Sequence, residues 1–291
     1  MAAFKKLVRF LTNGRAYYGE LLETKNDKYV VQRFDGCPFE KLVPTDEFYT
    51  VDTLLQPIES TPLIICIGLN YRAHAKEANV RPIHHEEQKR YTNPHRHQIV
   101  PPTYPPVFTK PADALAGPFE GIPIHPDAQS FLDYEGELTV VIGKDALNVS
   151  EELALDYVLG YTAGNDVSAR NFQVPEASGG QYCYAKSFDK FGPIGHNIVS
   201  AEQIPDPQAL CLRTRVNGVV KQETSTGDMI FGVQKIISHL SRGTTLRKGT
   251  VIMTGTPSGV GYFRKEPLQD GDIVEVEIEG VATVRNQMKY L

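Results

Sequence analysis

"DYEGELTVVIG", residues 133–143, is the stretch on which the reading of the fold turns. In an extended strand alternate side chains share a face, so Asp133, Glu135 and Glu137 point one way. Leu138, Val140, Val141 and Ile142 follow at once, and the strand enters a core as the charges end. Such acids either stay solvated at a sheet edge or meet a cation, because an unpaired buried charge costs several kcal/mol. Basic side chains or a metal would serve. Oxygen-only ligands of this kind suit Mg²⁺, Mn²⁺ or Ca²⁺.

Working outward, "GYTAGNDVSARNFQ" (160–173) offers a third acid, a guanidinium and an amide in Asp166, Arg170 and Gln173. Asp166 either completes a three-carboxylate site or caps the turn before Val167, and Arg170 serves a ligand or a structural ion pair. In "YRAHAKEA" (71–78) His74 and Glu77 stand three apart. On one helical turn they share a face, where the carboxylate orients the imidazole and raises its basicity, as a general base requires. Lys186 in "YAKSFDKFGPIG" (184–195) lies among aromatics, placed to steady an enolate or bind a carboxylate, or simply solvated. "TGTPSGVG" (254–261) lacks the Gly-Lys-Ser/Thr ending of a phosphate loop. A tight turn presenting N–H groups and Thr256 to an anionic oxygen is expected instead.

The rest of the chain sets the frame. Its 291 residues, 41% hydrophobic and 22% charged with net charge −5, describe a soluble globular protein of one large domain or one large and one small. Scattered basic residues argue against nucleic acid as a partner. No stretch approaches the roughly 20 apolar residues that cross a bilayer, and "MAAFKKLVRFLTNG" lacks a secretory pattern. An intracellular protein, cytoplasmic or mitochondrial, is expected, with Cys37, Cys66, Cys183 and Cys211 as free thiols.

Residues 1–60 read as a small antiparallel unit with tight turns, and "LIICIGLNY" (63–71) as a buried strand that opens the larger part. Residues 78–106, rich in Pro, His and charge, read as a long loop or lid. Its His84, His85, His95 and His97 include a His-x-His pair suited to zinc, without Cys or acid at familiar ligand spacing. Helices are expected from Ser150 to Gly160 and from Asp228 to Gly243, with strands filling the C-terminal third.

In this order, "GLNYRAHAKE", "PVFTKP", "DYEGELTVVIGK", "GYTAGNDVSARNFQ", "AKSFDKFGPIG", "VNGVVKQ" and "TGTPSGVGYFRKEP" resemble the fumarylacetoacetate hydrolase family, especially its short-chain members. The resemblance implies a β-rich α+β fold, a mixed β-sheet roll with short flanking helices. It also implies a small N-terminal domain (1–60), a catalytic domain (61–291) and a homodimer. It implies that Glu135, Glu137 and Asp166 hold Mg²⁺ or Mn²⁺, and that His74 and Glu77 form a catalytic dyad on a segment that orders over substrate. Lys186, Arg170, Gln173 and Thr256 would lie near a bound 2-oxo acid, and Asp133 is left a structural group. The long segment after Glu77 departs from compact members.

The implied chemistry is enolate formation from a small 2-oxo or 1,3-diketo acid, with a divalent cation steadying the charge. Hydrolysis of a carbon–carbon bond in an acylpyruvate-like substrate is placed first. Oxaloacetate tautomerase or decarboxylase activity shares the intermediate and is the alternative. A catalytically silent oxo-acid-binding protein or a purely structural subunit would not need the acid–base pair.

Overall fold

Continuous main-chain pairing is what organises the protein. The computed structural model describes residues 3–26, 28–79 and 103–291. The main strands in chain order are β1 (Lys6–Thr12), β2 (Arg15–Lys25), β3 (Lys28–Cys37), β4 (Lys41–Val51) and β5 (Ile64–Ile67). Then come β6 (Val107–Lys110), β7 (Ile122–Ile124), β8 (Gly136–Ile142), β9 (Val158–Asn165) and β10 (Ile198–Ser200). The last are β11 (Cys211–Val216), β12 (Val219–Ser225), β13 (Val251–Met253), β14 (Ile273–Ile278) and β15 (Ala282–Tyr290). Two eight-residue helices accompany them, α1 (Arg72–Asn79) and α2 (Val233–Leu240).

One sheet has ten strands in the order β4-β3-β2-β1-β10-β9-β8-β13-β5-β6, and a second has five, β12-β11-β14-β15-β7. Most neighbours are antiparallel, but β13 runs parallel to β5 and β15 parallel to β7, so both sheets are mixed. The fold is therefore the β-rich α+β arrangement expected.

β8, from the quoted stretch, is buried at every residue. Leu138, Val140 and Ile142 join the large core with Leu212, Val274, Val276 and Ile278 of the five-stranded sheet, while Val141 faces a second cluster with Leu7, Cys66, Ile198 and Met253. Burial on both faces is why the run reads as nearly continuous apolar sequence rather than alternation. Each such side chain contributes about 1.5–3 kcal/mol on leaving water. The two sheets meet closely at Gly136, where a Cβ would stand 2.0 Å from Thr214 Oγ1.

The helix expected over 150–160 is a 3₁₀ turn at Ala154–Tyr157, after which Val158–Asn165 is strand β9. Helical spacing over so short an apolar run yields to the pairing of Val158, Tyr161 and Thr162 with β8. The second helix starts at Val233, not Asp228. Asp228 instead accepts a hydrogen bond from the Ala73 N–H of α1 at 3.0 Å. Residues 80–102, and with them the four histidines weighed for zinc, lie outside the described residues. Among the described residues no helix is long and apolar enough to cross a membrane.

Candidate active site

Register brings the acids together. Gly136 pairs with Asn165 and Glu137 with Gly164, so Asp166, just past the end of β9, lies opposite Glu135, and its N–H donates to the Glu135 carbonyl at 2.9 Å. Glu135, Glu137 and Asp166 are all buried, and each offers a carboxylate oxygen within 4.8 Å of the others. Asp166 is thus not a mere turn cap.

Three bases meet these acids. Arg170 donates from Nη2 to Glu135 Oε1 at 2.6 Å, from Nε to Asp133 Oδ2 at 2.8 Å and from Nη1 to Gln173 Oε1 at 2.9 Å. Lys186 Nζ donates to Glu135 Oε2 at 2.6 Å and Asp166 Oδ2 at 2.7 Å, and sits 4.9 Å from the Phe108 ring centre. Lys110, fully buried, reaches Asp166 Oδ1 at 2.6 Å and donates to the carbonyls of Val167, Lys186 and Phe191. The Lys110–Oδ1 contact is an ion pair without hydrogen-bond alignment, since Oδ1 has no well-directed donor.

Protonation follows from these partners. Burial works to raise the Glu135 carboxyl, but Arg170 and Lys186 outweigh it and hold the group well below the usual carboxylate range. Burial also opposes the charge on Lys186, and Asp166 and Glu135 reverse that and raise it. Glu137 goes the other way: burial, then Asp166 and Glu135, push it well above the ordinary range. Among the described residues its one hydrogen-bond donor is the Gly255 N–H at 2.6 Å, and it has no ion-pair partner. Basic side chains thus compensate Glu135 and Asp166 but not Glu137. An oxygen-only donor set with one uncompensated carboxylate fits a hard divalent cation.

The dyad sits at the end of β5. Leu69 adopts φ +48°, and the Asn70 amide ties this turn to the Phe231 and Thr254 carbonyls before α1 begins. His74 Nδ1 lies 2.9 Å from Glu77 Oε2. As a carboxylate Glu77 can only accept, so Nδ1 donates and Nε2 carries the lone pair. The Gly259 N–H donates to both Glu77 oxygens, at 3.0 and 3.2 Å.

His74, Glu135, Glu137, Arg170, Gln173, Lys186 and Thr256 line one cavity of about 620 Å³, while Glu77, Asp133 and Asp166 stand outside its lining. A larger one, about 830 Å³ between the N-terminal strands and Tyr157–Tyr161, contains none of them. The N–H groups of the 254–262 turn serve the protein's own acids: Gly255 donates to Glu137, Gly259 to Glu77, and Gly261 and Tyr262 to Asp133. Thr256 donates to the Gly136 carbonyl at 3.1 Å and accepts from Gln222 at 2.8 Å. Sequence reading missed Lys110, although its motif was in view. The signal was a lysine closing an apolar strand directly before a proline, a poor place for a solvated charge.

Residues 63–289 match the family model described as fumarylacetoacetate (FAA) hydrolase C-terminal, and the chain belongs to that family. Among its relatives, the mitochondrial oxaloacetate tautomerase fahd2 of Xenopus laevis is 40% identical over 236 residues, covering 80% of this chain and 67% of that one. The crystal structure of 2-hydroxyhepta-2,4-diene-1,7-dioate isomerase from Mycobacterium marinum superposes with a TM-score of 0.79 at 34% identity, covering 98% of each chain. That of 5-carboxymethyl-2-hydroxymuconate delta-isomerase from Mycobacterium smegmatis gives 0.79 at 31% identity, covering 98% of this chain and 100% of that one.

Proposed function

We propose that the protein is a metal-dependent enzyme that enolises a small 2-oxo acid, interconverting the keto and enol forms of oxaloacetate or a close analogue. The observation that carries this is His74, its Nδ1 committed to Glu77, lining the same cavity as Glu135 and Glu137. Glu135, Glu137 and Asp166 would hold Mg²⁺ or Mn²⁺, which when bound supplies a Lewis acid for developing negative charge. His74 Nε2 takes the proton from the carbon beside the oxo group. Arg170 and Lys186 keep Glu135 ionised, and Lys186, with two of its three N–H donors engaged, has one left for an anionic oxygen. With Glu137 ionised, as metal binding requires, Asp133, Glu135, Glu137 and Asp166 outnumber Arg170, Lys186 and Lys110 by one. A divalent cation turns that deficit into a surplus of one positive charge, which one substrate carboxylate cancels.

Relatives and structural neighbours named as tautomerase and isomerases support proton transfer as the whole reaction. Hydrolysis of an acylpyruvate is the second reading, favoured by a cavity whose walls include Val107, Val174, Tyr182 and Phe263. It shares the same first step, as does decarboxylation. Following enol absorbance, pyruvate and CO₂ separately, from oxaloacetate and from an acylpyruvate, with Mg²⁺ and with chelator, tests these readings. Enol conversion that persists in chelator would overturn the metal's role, and pyruvate released stoichiometrically from the acylpyruvate would favour hydrolysis. We also infer a homodimer, in cytoplasm or mitochondrion, in keeping with four unpaired cysteines. Sedimentation at micromolar concentration checks the assembly.

A further inference from the structure

Lys110 closes β6, the edge strand of the ten-stranded sheet, where its backbone pairs with Ile64 of β5. Its stem packs beside Gly192, where a Cβ would stand 3.5 Å from Lys110 Cδ, and the whole side chain is buried. The ammonium ends among four oxygens. They are the carbonyls of Val167, Lys186 and Phe191, at 3.1, 2.8 and 2.9 Å, and Asp166 Oδ1 at 2.6 Å. An ammonium has three N–H donors, and the carbonyls take them, so Oδ1 is held by charge alone. Oxygens on several sides are the surroundings of a small monovalent ion rather than of one ion pair. The cage is also built from the stretches on which the site depends. Val167 follows Asp166, and Lys186 is the residue whose Nζ holds Asp166 Oδ2 at 2.7 Å. The Phe191 carbonyl accepts the Val167 N–H as well, at 3.0 Å, so 166–167 and 186–191 face each other across the ammonium.

We propose that Lys110 is a positioning residue, a tethered monovalent cation that fixes where Asp166 and Lys186 stand by gathering these oxygens. The proposal rests on the reading of Glu135, Glu137 and Asp166 as ligands of a divalent cation. Holding oxygens and lending charge have opposite consequences for metal affinity. As a charge, Lys110 stands beside a ligand carboxylate and repels an incoming cation, so its loss acting through charge alone would tighten metal binding. As a cage, its loss strips a donor from the buried carbonyls of Val167 and Lys186. Those peptides then turn towards other donors and carry Asp166 and the Lys186 turn out of place, so metal binding weakens. The second effect outweighs the first, because a displaced ligand no longer offers its oxygen at all.

The test is Mn²⁺ binding to the full chain by calorimetry, on folded protein as judged by circular dichroism. Lys110→Met keeps most of the side chain's volume without the ammonium. Lys110→Ala removes three carbons and the nitrogen, which propylammonium can supply from solution. In both variants the Mn²⁺ dissociation constant is expected to rise about ten- to a hundredfold. Propylammonium is expected to bring Lys110→Ala back towards wild type and to leave Lys110→Met, whose space is filled, unchanged. 1-Propanol, of similar shape but uncharged, restores neither. Lys110→Met carries the test should the smaller side chain not fold, and Lys110→Ala that folds only in propylammonium counts as restored. Mn²⁺ bound by Lys110→Met as tightly as by wild type or more so would overturn the tether while leaving the metal site standing. So would Lys110→Ala for which propylammonium does no more than 1-propanol. No Mn²⁺ binding by wild type would remove the metal site and the positioning role with it.

Discussion

Glu137 and Lys110 carry the residue-scale consequences. His74→Ala is expected to abolish enolisation while Mn²⁺ affinity, read by calorimetry, stays near wild type. Glu137→Ala is expected to lose both, and equal metal loss in the two variants would contradict the division of labour. Lys110→Met leaves Asp166 short of one cation in a fully buried setting and is expected to cost about 3 kcal/mol in urea unfolding. An unchanged midpoint would mean the pair is dispensable. Because burial with Asp166 and Glu135 nearby raises the Glu137 carboxyl, folding favours its protonated form when no metal is bound. That contribution is complete below the ordinary glutamate range and is lost as pH rises through the raised value. Chelated protein should therefore lose thermal stability toward alkaline pH, and Mn²⁺, which displaces the proton, should bind more tightly over the same interval. A flat profile of Tm against pH in chelator would refute it. At this scale the acids beside an apolar run could be weighed from the residues themselves, because buried carboxylates have few cheap placements, whereas the His74–Glu77 spacing is common in helices and was singled out by the family resemblance. Lys110 and the clamping role of Asp133 were not, since their partners are carbonyls and N–H groups remote in sequence.

Among the elements, β-rich character and the strands of the C-terminal third could be read from alternation and turn residues. The stretch 150–165 could not. Its apolar residues fit a helical period as well as a strand, and the choice is made by β8 and β10 on either side of β9. Asp228 was likewise credited to the wrong helix, because the N–H it serves belongs to a residue 155 positions away. The seam between β9 and β10 is tight: a Cβ on Gly160 would lie 2.2 Å from the Val199 carbonyl. Backbone rather than a pliable side chain stands in the way. Gly160→Ala should therefore destabilise by about 1–3 kcal/mol, read as a lowered Tm, and a neutral result would show that the seam can open.

For the whole molecule, the four N-terminal strands are not a separate appendage. β1 pairs with β10, and Phe4, Leu7, Phe34 and Leu42 share one apolar cluster with Ile64, Val141, Val251 and Met253. Scanning calorimetry should accordingly give one cooperative transition, and two resolved peaks would mean that the shared cluster does not couple the parts. The segment from Gly255 to Tyr262 is bound by Glu137 at one end, Glu77 in the middle and Asp133 at the other. Connections between strands usually absorb added or deleted residues without harm. Here the chain works as a ruler whose graduations are three carboxylates, so duplicating a single residue within it would disarm the enzyme without altering any acid, base or glycine it owns.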